Sequence, residues 1–453
     1  MERPRIIQGD LDAMVATWPL AKAVATTGQL GVVSGTLLPV ITARRLQMGD
    51  PGGHLRRAFD QFPAADVARR VWEDFFVPGG KATETPFAAT LQPSFDQNPA
   101  LTELAVVAGF AEVFLAREGH SGPVAIHFSE QARLPLLPTL HGALLAGVDS
   151  VIVAGEDAAV ASGVVRLCEG EEAGVRMRLA GSTAESGPEC CFNPQVIGGG
   201  TPTELPRPRV LLIGDSAERL ATQVHAAQGP VEGVILRLEN TTGLPSESEL
   251  GRLRDLVLPF WLAGLPATAS SLDAVLTAGG TGLVVSTPFH YCAESELAGD
   301  WKAEVFARSR QKPARLAVEF VSAPAGHQVP IARVEGSAVD EAEFARRERF
   351  CDVGFLRQLY QREDGSVGYR CPGETVTCHH AKGGDPAAAS AQRCLCNGML
   401  AALGLGQVRP GYGVERPLLP AGEDLKGLAR FCPPNAHSFS AADVVRQLLD
   451  GSP

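Results

Sequence analysis

Any chemistry in this chain has to come from a few titratable side chains at the ends of apolar runs. His127 lies in the run "VAIHFS", near its end. A strand is a rigid mount, and imidazole ordinarily titrates near neutrality, so His127 is the first candidate for a general acid or base. Asp10 and Asp12 follow the run "IIQG" and fall on one face if the strand extends that far. With His127 they could form a general-acid pair or a metal site. The ordinary reading is a solvated loop for the carboxylates and a hydrogen-bonded core residue for the histidine. His141, in "PTLHGALL", sits on a predicted helix and reads as packed or exposed. His290 and Cys292, in "TPFHYCAES", are spaced for thiol chemistry in principle, but such a pair on a strand-to-helix turn is more often accidental. Cys378, His379 and His380 could bind a metal. "CLC" at Cys394 and Cys396 is not the spacing of a zinc or redox motif, and the ten cysteines read mostly as structural thiols. No P-loop, dinucleotide fingerprint or nucleophile elbow is present.

Composition narrows the classes. The chain has 453 residues, 45% hydrophobic and 20% charged, as an ordinary soluble globular protein does. Its formal net charge of -11 argues against general nucleic-acid binding, which needs basic patches. No apolar run of about 18 residues is seen, so no membrane span is expected. The N-terminus has no apolar stretch of signal-peptide type, which makes the cytoplasm the expected compartment.

These residues need elements to hold them. Eight short apolar runs read as buried strands: "PRIIQG", "LGVVSG", "VAIHFS", "SVIVAG", "RVLLIG", "GVILRL", "PFWLAG" and "GLVVST". Helical patterns lie between several of them, at 134–147, 216–228 and 271–280. Alternating units of this kind predict an α/β fold, a (β/α)8 TIM barrel. Residues 1–335 form the barrel, with a helical insertion at about 41–105. Residues 336–453 read as a C-terminal helical subdomain.

Several segments together carry a resemblance. "RIIQG", "GQLGVVSGT", "ARRLQMGDPGGHLRRAF", "LPLLPTLHGALLAGVDSVIVAG", "PFWLAG", "REDGSVGYRCPGE", "RCLCNGMLAALGLGQVR" and "AGEDLKGLARF" run in order along nearly the whole chain. The sequence resembles the nitronate monooxygenase (2-nitropropane dioxygenase) family, in its long branch with the enoyl reductases of polyunsaturated fatty acid and polyketide synthases. The resemblance implies a barrel holding FMN at the C-terminal ends of its strands. Gln8 and Gly9 would back the flavin, and Gly264, Ser286 and Thr287 would hold its phosphate.

The chain departs from the family at that site. Where the family reads glycine, methionine, glycine, this chain has Asp10, Leu11 and Asp12. His127 replaces an asparagine and Gln131 a lysine. Leu244 stands where the family's histidine would be, and only Gly243 remains of its paired glycines. Leu265, Pro266 and Ala267 follow Gly264, and proline lacks an N–H. Ser286 and Thr287 depart least. Added FMN is therefore expected to bind weakly or not at all. Three readings stay open: an FMN oxidoreductase acting on a nitronate or enoyl thioester, a flavin-free enzyme using His127 and Asp10, and a non-catalytic partner of a flavoprotein or synthase. The expected partners are a small-molecule or carrier-protein-bound acyl substrate and a protein of a biosynthetic complex, with no nucleic acid and no membrane.

Overall fold

All eight predicted strands form, and they join into one parallel sheet. In the computed structural model they are β1 (Ile6–Gln8), β2 (Gly31–Ser34), β3 (Val124–Phe128), β4 (Ser150–Ala154), β5 (Arg209–Gly214), β6 (Gly233–Arg237), β7 (Phe260–Ala263) and β8 (Gly282–Val285). The structure describes residues 3–10, 15–96, 98–129, 134–154, 159–177, 179–180, 187–198, 202, 204–238, 243–311, 316–324, 328–433 and 436–451. Neighbours run β1-β8-β7-β6-β5-β4-β3-β2. A parallel bridge between Ile7 and Leu30 brings the two ends together, so the sheet closes as a barrel.

The closure has its own chemistry. Gln8 N donates to Leu30 O at 2.9 Å and Leu30 N to Ile6 O at 3.1 Å. One residue on, the side chain takes over from the backbone. Gln8 Nε2 donates to Val32 O at 2.8 Å, and Val32 N donates to Gln8 Oε1 at 3.0 Å. A fully buried amide thus supplies the ladder bonds that β1 is too short to make.

Alternation along the strands builds two cores. Ile7, Val32, Ala125, Ile152, Leu211, Ile235, Trp261 and Val284 fill the lumen. Their neighbours, among them Ile6, Val33, Ile126, Val151 and Leu236, face the surrounding helices. A period of two sets this division, and a slip of one residue would invert it.

The outer ring contains α1 (Trp18–Thr26), then α2 (Leu38–Gln47), α3 (His54–Phe59), α4 (Ala65–Phe75) and α5 (Pro99–Arg117) between β2 and β3. After β3 come α6 (Leu136–Leu145), α7 (Val160–Cys168), α8 (Ala217–Ala226), α9 (Glu247–Asp255), α10 (Ala269–Thr277) and α11 (Thr287–Tyr291). α5 is long and apolar enough to cross a membrane, yet it is mostly buried as a core helix against α1, α2 and α6. Buried Glu112 on α5 ties that helix to α1 and α2: its Oε1 accepts from Trp18 N at 2.7 Å and its Oε2 from Arg45 at 2.9 Å. α11 is only five residues long. The helix Ala441–Asp450 packs on α1, α10 and α11 and fills the eighth place in the ring.

The C-terminal region carries helices at Glu341–Arg346, Val376–Ala381, Pro386–Ser390 and Leu395–Ala402. It also holds a hairpin, Gln358–Gln361 with Val367–Arg370, inside a stretch whose first strand reads as helix from sequence. The turn "REDGS" decides it. Gly365 takes φ +82°, and Asp364 Oδ1 accepts from Ser366 N at 2.9 Å.

Candidate active site

The C-terminal end of the barrel brings polar groups from three consecutive strands together. Asp10 follows β1, Ser34 ends β2, and His127 lies near the end of β3. Ser34 and His127 are paired in register, so both project from the same face. That face is the lumen, because Val32 and Ala125, two residues earlier on each strand, belong to the lumen core. His127 Nδ1 lies 3.3 Å from Asp10 Oδ2, at the long end of a hydrogen bond, and both side chains are buried. Asp10 Oδ1 has no hydrogen-bond partner among the described residues, and neither do Ser34 Oγ and Ser129 Oγ. Buried polar atoms are nearly always paired, so three unpaired ones, one of them on the Asp10 carboxylate itself, mark a place built for a ligand or a proton in transit.

His290 of α11 also lies near Asp10. It is fully buried, and among the described residues neither ring nitrogen reaches hydrogen-bond geometry with a partner, although the Gly9 backbone and the Asp10 carboxylate are nearby. Burial pushes its pKa down to about 4 against the opposing pull of Asp10, so the ring is neutral at pH 7. Alternation along β6 also turns Arg237 toward the lumen, since Ile235 is a lumen residue. The sequence signal for Arg237 was an arginine ending an otherwise apolar strand.

The remaining candidates are placed as follows. Gln8 is occupied with β2, as described above. Gly9 donates its N–H to Val285 O at 2.8 Å, and a Cβ there would lie 2.2 Å from Ser286 Oγ. Ser286 therefore packs over Gly9, and Thr287 is buried at the start of α11. Gly264 takes φ +93°, with Leu238 O 2.3 Å from where its Cβ would be, so only glycine fits there. Asp12 and Gln131 lie outside the described residues, while Leu244 is partly exposed. His141 is a core residue against the Phe192 ring, and burial takes its pKa to about 4. Cys292 donates to Phe289 O at 3.1 Å rather than pairing with His290, and burial pushes its thiol up. Cys378 donates to Glu374 Oε2 at 3.1 Å. Among the described residues, no three His, Cys, Asp or Glu side chains converge to hold a metal ion.

Two loops that the resemblance assigns to a flavin phosphate carry prolines and a carboxylate of the chain itself. A TIM-barrel phosphate site draws on backbone N–H groups after the seventh and eighth strands. After β7, Pro266 has no N–H, and Thr268 N donates to Pro266 O at 2.8 Å. Ala267 N donates to both oxygens of the buried Asp424 carboxylate, at 3.1 and 3.0 Å. Arg430 in turn contacts Asp424 and donates to Ala267 O at 3.2 Å. A carboxylate of the chain itself stands at this loop, where an anion would otherwise dock. After β8, Pro288 removes another donor at the second position of α11. Asp10 adds a second buried acid at the mouth.

No protein-family model matches the sequence, and no curated protein matches it. The chain is similar to several solved structures at TM-scores below 0.5. FabK from Thermotoga maritima is 12% identical over 99% of this chain and 94% of its own, with a TM-score of 0.41. The enoyl reductase domain of MlnA, from the macrolactin biosynthesis cluster of Bacillus amyloliquefaciens, is 11% identical over 76% and 84%, with a TM-score of 0.44. Nitroalkane oxidase from Streptomyces ansochromogenes is 16% identical over 99% and 98%, with a TM-score of 0.38.

Proposed function

We propose that this chain is a nitronate monooxygenase/enoyl reductase-like barrel that works at its mouth by acid–base chemistry, without ordinary flavin chemistry. The observation that carries the proposal is the buried His127–Asp10 pair at 3.3 Å on the C-terminal face of the barrel. Asp10 faces Nδ1 and thereby orients the ring for proton transfer. The substrate is a small-molecule or carrier-bound acyl or nitro compound. The imidazole of His127 takes a proton from the carbon next to the acyl or nitro group. The electron pair moves onto oxygen, giving an enolate or nitronate, and the proton returns to carbon. No electrons leave the substrate. The Ser34 hydroxyl, buried beside His127, is a donor for the developing negative oxygen.

The test is solvent-deuterium exchange. The full chain is incubated in D2O with nitroethane or a short acyl thioester of N-acetylcysteamine, and the α-proton signal is followed by NMR. Wild type should exchange it. His127→Asn should slow exchange by about a hundredfold or more with the fold intact by circular dichroism. Equal rates in wild type and His127→Asn would remove the proposal.

A further inference from the structure

The far end of the barrel holds a cavity of about 780 Å³, within the size range of small-molecule sites. It lies at the N-terminal ends of the strands, opposite Asp10 and His127. Its floor is the base of the lumen core: Leu30, Leu211 and Trp261, each nearly fully buried. Trp261 is held there by a bond from its Nε1 to Pro4 O at 2.9 Å. Five prolines, at 4, 123, 206, 208 and 259, stand around the rim and restrict the backbone. Val257 on the same rim is 90% exposed and has φ +56°, a strained conformation for a β-branched residue.

The charges are unbalanced. Four arginines line the cavity against two acids. Both acids are already used. Asp149 Oδ2 accepts from Val124 N at 2.9 Å and contacts Arg117. Glu232 accepts from Val210 N at 2.8 Å and from Arg207 at 2.5 Å. Among the described residues, the Arg3 and Arg209 side chains have no acid and no hydrogen-bond acceptor. Two unmatched guanidinium groups above an apolar, indole-lined floor stand out on a chain of net charge -11.

We infer that this cavity binds a small organic anion, with its apolar body on Trp261 and its charged group between Arg3 and Arg209. Guanidinium groups suit carboxylate, sulfonate and phosphate oxygens, and a proline-stiffened rim lowers the ordering cost of binding. The site is separate from the acid–base site at the mouth.

The probe is 1-anilinonaphthalene-8-sulfonate, an aromatic body with one sulfonate, titrated into the full chain by fluorescence. Saturable binding is expected. The double variant Arg3→Gln/Arg209→Gln should weaken it by about tenfold, since both exposed arginines can be changed without disturbing the core. The uncharged analogue N-phenyl-1-naphthylamine should bind more weakly and be indifferent to the double variant. Asp10→Asn should leave sulfonate binding unchanged. No saturable binding would overturn the inference. So would equal affinity in wild type and the double variant, or a loss caused by Asp10→Asn alone.

Discussion

His141→Leu should make the protein less sensitive to acid. His141 lies on α6 with its ring against Phe192, and among the described residues neither ring nitrogen has a hydrogen-bond partner. Burial holds its folded-state pKa at about 4, whereas a histidine in the unfolded chain titrates near 6.5. Between these values the unfolded chain binds a proton that the folded protein does not. Stability from this group is therefore complete above pH 6.5 and is lost as the pH falls toward 4. The full gap corresponds to about 3.4 kcal/mol. At pH 5.5, one pH unit below the unfolded value, the loss is about 1.4 kcal/mol, and at pH 7.5 it is about 0.1 kcal/mol. His290 contributes a second loss of similar size, because its pKa is also about 4. Leucine at 141 fills a similar volume and carries no proton. The assay is urea unfolding of wild type and His141→Leu at both pH values. The variant should gain about 1.3 kcal/mol on wild type as the pH drops from 7.5 to 5.5, while wild type keeps the His290 share of its slope. A stability difference that is the same at both pH values, or that moves the other way, would refute the assignment of a neutral buried histidine.

Two further outcomes follow from the geometry of the mouth. Gly9→Ala places a Cβ 2.2 Å from Ser286 Oγ and 2.8 Å from Val284 Cγ1, and should cost about 1–3 kcal/mol. Ser286→Ala should recover part of that loss in the double variant, which thermal unfolding of the four proteins would show as non-additivity. Asp424→Ala removes the acceptor of Ala267 N and the partner of Arg430, and should cost about 2–3 kcal/mol by the same measurement, since charged hydrogen bonds are involved. A neutral Asp424→Ala would mean that the clamp on the β7 loop is not holding it.

The barrel was legible because each strand is an apolar run bounded by Gly, Pro or a charged residue, and a parallel strand buried on both faces has no other appearance. The sequence also singled out Asp10 and His127, since polar residues that end apolar runs have few places to go but the mouth. Long-range partnerships were not legible. Asp424 reaches Ala267 across 157 positions, and nothing local to either residue announces it. Gln8 reads as a flavin-side residue by resemblance, yet its amide serves the β1–β2 seam, a consequence of strand length rather than of residue type. The eighth helix of the ring was hidden for a similar reason. α11 is too short for the place, and the helix that takes it begins some 150 residues later, at Ala441. Tertiary packing overrode the helical pattern before Gly365, where a turn with positive φ favours a hairpin.

The central claim is that the mouth of this barrel does proton chemistry without FMN, and equilibrium binding of FMN to the purified full chain tests it most directly. The purified protein should show no flavin absorbance bands. Titrated FMN should bind weakly or not at all, because Pro266 lacks an N–H, Ala267 N is engaged by Asp424, and Thr268 N is engaged by Pro266 O. Stoichiometric flavin in the purified protein, or tight saturable binding of added FMN, would contradict the account.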